Sequence, residues 1–422
     1  MRNVNVAILG LGTVGSGIYT VIQNEKARIE HKESISFNVA KVLAKAYAID
    51  IPDEIKAADI DEIVNDPTIS IVAEVMGGIN PAKEFIIKAL NAGKTVVTAN
   101  KELIAKHWPE IEKAAKESGS GFYFEASVGG AIPIIKAMWD SLQSNTIDKV
   151  YGIMNGTTNY ILSKMADEGR DFDDVLKEAQ DLGYAEANPS ADVDGFDTMY
   201  KLSILGSLAF HAHVPPKYIY REGITKITKK DIDAGKELGY ELKLLAIGKR
   251  CGNRLEMRVN PTFIPKDHPL ASVKGSFNSI FVHGSAVGEM MFYGRGAGDL
   301  PTANALVSDM IYSLNVCRHK YNTFVNEDEI SPELEIDSNW ESGYMIRINV
   351  ADEAGMLAKI ASVFGENDVS IKSVLQHGEG GEFVPMIFVT HAAHENDIRS
   401  ALDKIQGLEG IGNIESCIRV EE

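Results

Sequence analysis

Residues 4–15 read VNVAILGLGTVG, an apolar, β-branched run that ends in three glycines, Gly10, Gly12 and Gly15, spaced G-x-G-x-x-G. Behind a strand and ahead of a helix, each glycine has its own physical task. Gly10 permits a tight turn, Gly12 lets the backbone come close to a pyrophosphate, and Gly15 lets the helix pack closely on the strand. With Leu11, Thr13 and Val14 between them, they open a helix whose unpaired N–H groups and positive dipole end suit phosphate. A dinucleotide is the expected ligand.

The segments that follow support this reading. FNVAKVLA (37–44), ISIVAEVM (69–76), KTVVTAN (94–100) and GFYFEA (121–126) read as four more strands. Helical patterns lie between them, such as PAKEFIIKALNAG, which opens at Pro81 and closes at Gly93. The alternation predicts right-handed βαβ units and a Rossmann-type, doubly wound parallel sheet over residues 1–130, the first part of an α/β protein. In NAD enzymes an acidic residue closing the second strand takes the ribose hydroxyls. Here that strand ends near Lys45, and no acid follows until Asp50. A cation there suits the 2′-phosphate of NADP, although Lys45 is equally readable as a solvated surface residue and NAD stays open.

Residues 131–320 are less regular. They mix helical patterns (VLKEAQDLGY, 175–184; DTMYKLSILGSLAF, 197–210) with a β-rich run (SIFVHGSAVGEMMFYG, 279–294). An α+β substrate-binding and dimerisation domain is expected, with its last helix returning to the Rossmann domain. Residues 321–343 are acidic and lack a period, which predicts a linker. Residues 344–422 then read strand, helix, strand, strand, helix, strand, the order of a ferredoxin-like sandwich.

The chain has 422 residues, 45% hydrophobic and 24% charged, enough for two or three domains. A net charge of −18 leaves no basic surface for nucleic acid or an anionic membrane, so neither is an expected partner. Cys251, Cys317 and Cys417 lie far apart and suggest neither a disulfide scaffold nor a zinc site. The first strand follows at once on Met1, so neither a targeting peptide nor a fused kinase segment is expected. No apolar stretch is long enough to span a bilayer, and a cytoplasmic location is expected.

Chemistry concentrates in residues 179–201, AQDLGYAEANPSADVDGFDTMYK. Asp197 and Lys201 are four apart, hence on one face of a helix, with Asp192 or Asp194 placed to cap its start. Glu186, in the turn before, is within reach of an ammonium group. A lysine desolvated in a closed site shifts its pKa toward neutrality, as a general acid requires. On the residues alone, a surface ion pair is the competing reading.

This segment resembles the signature of homoserine dehydrogenases at Ala179, Gly183, Tyr184, Ala185, Asn188, Pro189, Asp192, Val193, Gly195, Asp197 and Lys201. The resemblance extends through GLGTVG, TANKE (98–102), EASVGGAIPI (125–134), NGTTNYIL (155–162) and YGRGAGDLPTA (293–303). It implies NAD(P)H-dependent, reversible reduction of L-aspartate 4-semialdehyde to L-homoserine by a homodimer or homotetramer. Lys201 is then the proton donor to the aldehyde oxygen. Lys101, at the C-terminal end of a parallel strand where ligands bind in such sheets, holds the substrate oxygen. Glu186 and Asp197 bind the amino-acid head group, while Thr98, Gly183 and Gly298 approach the cofactor.

The resemblance also implies a monovalent cation, Na⁺, held by the Glu125 carboxylate and the carbonyls of Val128, Gly130 and Ile132, oxygen donors suited to a hard ion. Sequence alone allows a plain strand-to-helix turn there.

NVADEAGMLAKIASVFGENDVSIKSVLQ (349–376) resembles the opening of an ACT domain, whose first turn reads D-x-P-G-x-L. Asp352, Gly355 and Leu357 fit, and Ala354 stands in place of the proline. An effector, L-threonine, is expected at this turn, with Met356 beside it. A dimerisation module that binds nothing is the alternative. Two rival functions are another amino-acid dehydrogenase on the same fold and a non-catalytic sensor that keeps the fold. His211 and His213 lack a third ligand for catalytic zinc, and no cysteine is placed for a thiohemiacetal.

Overall fold

The computed structural model describes residues 1–322, 330, 334–376 and 381–421. Strands β1 (Arg2–Leu11), β2 (Ile35–Tyr47), β3 (Ile69–Glu74), β4 (Thr95–Thr98) and β5 (Phe122–Tyr123) form a parallel sheet in the order β2-β1-β3-β4-β5. Helices α1 (Thr13–Asn24), α2 (Lys26–Glu33), α3 (Asp61–Val64), α4 (Ala82–Asn91) and α5 (Lys101–Ser118) connect and cover it. Val6, Ala7, Ile8 and Leu9 have no exposed surface, which is why β1 is apolar on both faces. Helix α4 begins after Pro81 and ends before Gly93, whose φ of +76° a side chain would oppose. Its Ile86 is fully buried, and truncation to alanine would cost about 2–5 kcal/mol. Strand order reverses between β1 and β3, so a crevice opens at their C-terminal ends.

Two local expectations are corrected. β2 runs on past Lys45 to Tyr47. GFYFEA yields only the two residues of β5, because Phe124 packs edge-on against Trp108 and Trp139 and the Glu125 amide donates to Asp309, turning residues 125–127 into a 3₁₀ turn.

Beyond the parallel sheet come α6 (Ile134–Lys136), β6 (Ile147–Ile153), α7 (Gly156–Glu168), α8 (Phe172–Asp181), α9 (Ser190–Val193) and α10 (Phe196–Phe210). They are followed by β7 (Tyr220–Arg221), α11 (Lys229–Glu237), β8 (Tyr240–Cys251), β9 (Arg254–Pro265), β10 (Phe277–Gly284), β11 (Gly288–Arg295) and α12 (Asp299–Asn315). Helix α10 is buried almost all round, as a helix at the centre of a domain must be. Helix α12 returns to the first domain, where Ala303, Leu306 and Met310 join the core beneath β1 and α1. Cys317 lies beyond the end of α12 and is exposed.

The C-terminal region holds β12 (Glu335–Ile336), β13 (Glu341–Ala351), α13 (Met356–Glu366), β14 (Ile371–Gln376), β15 (Phe383–Thr390), β16 (Ala393–His394), α14 (Glu395–Gln406) and β17 (Ile411–Val420). The order β17-β13-β15-β14 is that of the expected sandwich. This sheet is not separate. β17 pairs in parallel with β9, Arg419 opposite Thr262, so one twelve-stranded sheet runs through both regions.

The linker expectation for 321–343 is also corrected where residues are described. β12 pairs with β9, Trp340 is buried beside Tyr220 and the guanidinium groups of Arg258 and Arg419, and β13 begins at Glu341. Residues 323–329 and 331–333 of that segment lie outside the described residues. Among the described residues, no helix is long and apolar enough to cross a membrane.

Candidate active site

The glycine turn has the geometry of a phosphate cradle. Gly10 has φ +98°, and a Cβ there would lie 2.8 Å from the Val75 carbonyl oxygen. A Cβ on Gly15 would lie 2.0 Å from the Gly10 oxygen, so this position fixes α1 against the turn. At Gly12 a Cβ would meet nothing within 4 Å among the described residues. Gly12 is also the N-cap of α1, with no side-chain cap and no acidic residue in the first turn. An open face and free helix N–H groups fit a pyrophosphate.

The start of α12 abuts the same helix, since a Cβ on Gly17 would lie 2.9 Å from the Asp299 carbonyl oxygen. That places Gly298, the N-cap of α12 with φ +130°, beside α1. Gly183, with φ +75°, occupies the exposed turn after α8, and Lys45 is exposed on β2. Thr98 is fully buried; its hydroxyl donates to Glu74 Oε2 at 2.7 Å and accepts from the Asn100 amide at 3.0 Å. Its side chain thus acts by anchoring the loop after β4 rather than by facing a nucleotide.

That loop positions Lys101. Asn100 caps α5 by accepting from the Leu103 amide at 3.2 Å and donates to the Gly78 oxygen at 2.7 Å, leaving Lys101 as the first helical residue. Lys101 Nζ lies 2.6 Å from Asp197 Oδ1, and Lys201 Nζ lies 2.6 Å from Asp197 Oδ2. Lys201 also donates to the Met154 carbonyl at 2.6 Å. The Lys201 and Asp197 side chains are 7% and 6% exposed and that of Lys101 42%, so the cluster opens to solvent on the Lys101 side. Burial rules out a surface ion pair.

The charges in this small space shift one another. Burial pushes the Lys201 ammonium down and Lys101 repels it further, with Asp197 opposing both. Lys101 is held up, chiefly by Asp197, with further support from the charges of Asp192 and Glu186. Burial would raise Asp197, but the two ammonium groups outweigh it and hold the carboxyl well below the usual range. Glu186 is exposed in the turn between α8 and α9, on the open side.

Asn155 and Asp192 complete the site. Asn155 caps α7 through Thr158 N–H at 2.8 Å and donates to Asp192 Oδ1 at 2.6 Å and Asp197 Oδ2 at 2.9 Å. The helix-cap signal in NGTT marks Asn155, but nothing local reveals its second task. Neither Asp192 nor Asp194 caps α10, contrary to expectation. Its N-cap is Gly195 in the left-handed region, and the two acids bond instead to Asn155 and to the Ser190 hydroxyl.

Glu125 sits under α6. Its two carboxylate oxygens accept the Ile135 and Lys136 amides, each at 2.8 Å. Burial first, then the neighbouring Asp309 carboxylate, pushes its pKa up to about 7. Lys136 pairs with Asp309 at 2.9 Å, so two buried carboxyls share one ammonium. Gly130 lies against Gly296, where a Cβ would be 2.6 Å from the carbonyl oxygen, while Val128 and Ile132 are buried.

In the C-terminal region Gly355, at φ +96°, is the N-cap of α13, Met356 is buried, Leu357 is 44% exposed, and Asp352 is exposed. Cys251 and Cys317 are exposed, and Cys417 lies in β17.

Residues 10–125 match the NAD-binding domain of homoserine dehydrogenase, 133–311 the homoserine dehydrogenase family model, and 344–410 the ACT domain. A homoserine dehydrogenase of Bacillus subtilis is 41% identical over 429 residues, covering 100% of this chain and 99% of that protein. The crystal structure of a homoserine dehydrogenase from Thiobacillus denitrificans superposes with a TM-score of 0.92 at 37% identity, covering 100% of this chain and 99% of that one. A hyperthermophilic archaeal homoserine dehydrogenase in complex with NADPH superposes with a TM-score of 0.65 at 27% identity, over 76% of this chain and 100% of that one. The chain belongs to the homoserine dehydrogenase family, NAD(P)-dependent oxidoreductases, and carries an ACT domain at its C-terminal end.

Proposed function

We propose that this enzyme reduces L-aspartate 4-semialdehyde to L-homoserine with NADPH as the favoured donor, and that Lys201 supplies the proton. The observation that carries the reading is the buried Lys101–Asp197–Lys201 cluster at the mouth of the crevice beyond β4. The cofactor, when bound, supplies the hydride. Lys201, whose ammonium burial has made a stronger acid, gives its proton to the aldehyde oxygen as that oxygen gains charge. Asp197 keeps Lys201 in place without taking the proton, because its own acidity is far too strong. The substrate ammonium, drawn by Glu186, replaces Lys101 at Asp197 Oδ1, and Lys101, the half-exposed member, moves to the substrate oxygen. The turn shaped by Gly10 and Gly15 receives the pyrophosphate at its open Gly12 face, with Gly183 and Gly298 beside the cofactor. Lys45 favours the 2′-phosphate, in keeping with the NADPH bound by the archaeal relative.

Glu125 with the carbonyls of Val128, Gly130 and Ile132 would hold a monovalent cation such as Na⁺. The charge balance suits it, since Glu125 and Asp309 together exceed Lys136 by one negative charge. In the ACT domain, the Asp352–Leu357 turn is the site assigned to L-threonine as feedback effector. A dimer or tetramer would let such turns face one another across copies.

The test is spectrophotometric: homoserine is added with NADP⁺ or NAD⁺, and the absorbance of the reduced nicotinamide is followed. Growth with NADP⁺ exceeding that with NAD⁺ is expected, and no signal with either rejects the activity. L-threonine titrated into the same assay is expected to slow it; an unchanged rate at millimolar threonine removes the effector.

A further inference from the structure

The edge of β9 away from β8 is covered by three segments laid end to end. β12 pairs at Arg254–Leu255, β7 at Arg258–Val259, and β17 of the ACT domain at Thr262–Phe263. The chain after β7 then runs beside the loop that delivers the catalytic helix α10. Ile224 N–H donates to the Val193 oxygen at 2.8 Å, and a Cβ on Gly223 would lie 2.3 Å from that oxygen. The Arg221 guanidinium donates to the Asp194 carbonyl and lies 3.6 Å from the centre of the Phe196 ring. Asp194 and Phe196 flank Gly195, and Asp197 is the next residue. Residues 221–224 therefore grip the loop within one or two residues of Asp192 and Asp197.

The same segment is held from the other side by the ACT domain. Arg419 of β17, 8% exposed, pairs with Glu222 at 2.5 Å and donates to the Tyr220 hydroxyl at 3.2 Å. Its other face is fixed by Glu395 at 2.7 Å, at the first turn of α14. Two guanidinium groups on either side of one dipeptide thus connect the regulatory domain to the loop under Asp197 through direct contacts.

We infer that Arg221 is a positioning residue for the reaction and that the Glu222–Arg419 pair lets the ACT domain set its place. A shift of β17 along β9 would move Glu222, hence Arg221, hence the Asp197 carboxylate between its two lysines. Such coupling is a claim about a shared element, and only non-additive substitutions establish it. The inference rests on Asp197 and Lys201 being the reacting site. That premise is tested separately by Lys201→Met, whose failure would leave the measured coupling intact but without catalytic meaning.

The experiment is a double-mutant cycle on the full-length enzyme. Arg221→Ala is expected to lower kcat about tenfold, with Arg221→Lys recovering part of it and the KM for NADPH unchanged. Glu222→Gln and Arg419→Met are each expected to lower kcat about threefold, and the double variant no further than either alone. Urea midpoints are recorded for every variant; if Arg221→Ala does not fold, Arg221→Lys and the cycle decide. Multiplicative effects of Glu222→Gln and Arg419→Met, a kcat of folded Arg221→Ala within a factor of two of the parent, or, where that variant does not fold, a kcat of Arg221→Lys equal to the parent's, overturn the inference.

Discussion

Lys201 Nζ stands 2.6 Å from Asp197 Oδ2, one turn apart on the same buried helix. An ion pair so placed is expensive to desolvate and seldom stabilises a fold on balance. Here the same carboxylate is shared with Lys101 from a different domain, so its position also sets the distance between the two amines. The arrangement is easier to explain as proton chemistry than as stability.

The first consequence concerns pH. Burial, reinforced by Lys101, lowers the Lys201 pKa, and the reduction needs its protonated form. The kcat for semialdehyde reduction is therefore expected to be flat at low pH and to fall as pH rises through that lowered pKa. The kcat for homoserine oxidation, which needs the neutral amine, should rise over the same interval. Parallel profiles in the two directions would contradict the assignment.

Asp197→Asn removes the charge that does most to hold Lys201 up, with Asp192 giving weaker support. The kinetic pKa should move further down. Urea unfolding should also report a loss of roughly 3–5 kcal/mol, the usual cost of breaking a buried pair. A variant as stable as the parent with an unmoved pH profile would show that the carboxylate is idle.

The three glycines separate folding from binding. At Gly12 a methyl group meets no described atom, so Gly12→Ala should keep the melting temperature while weakening NADPH binding by tenfold or more, about 1.4 kcal/mol. Gly15→Ala puts a carbon 2.0 Å from a carbonyl oxygen and should destabilise the first domain outright. Calorimetry and NADPH fluorescence titration of both variants check this, and equal binding by Gly12→Ala would remove the phosphate from that face.

Glu125 gives stability a pH dependence of the opposite sense to a usual carboxylate. Its folded pKa, about 7, lies above the unfolded value, so folding favours the protonated form. That contribution is complete below the unfolded pKa and is lost as pH rises through about 7, at most about 3 kcal/mol. A bound cation would compensate the carboxylate, so the loss should be smaller in NaCl than in choline chloride. Equal unfolding curves in the two salts, from pH 5 to 8, would argue against the cation.

Much of this is legible in the sequence. The glycine turn, the Pro81-to-Gly93 helix and the C-terminal strand-helix order are local signals, and each appears where its residues require. A spacing of four puts Asp197 and Lys201 on one helix face, but their place in the site comes from the family resemblance. What escaped reading is non-local. β12 sits in an acidic run whose pairing with β9 leaves no period. The union of β17 with β9 joins strands some 150 residues apart through backbone bonds that any side chain permits. Asn155 reads as a helix cap, and Arg221 as an ordinary basic residue, until the fold brings Asp192, Asp194 and Asp197 to them.

The most direct test is the turnover of Lys201→Met beside its NADPH affinity. Methionine fills the same space without a proton to give. A fall in kcat of about 10²–10⁴, the range for a lost general acid, with the NADPH Kd unchanged, is the expected result. Turnover within threefold of the parent would contradict proton transfer from this lysine, and with it the reading of the buried cluster as the reacting centre.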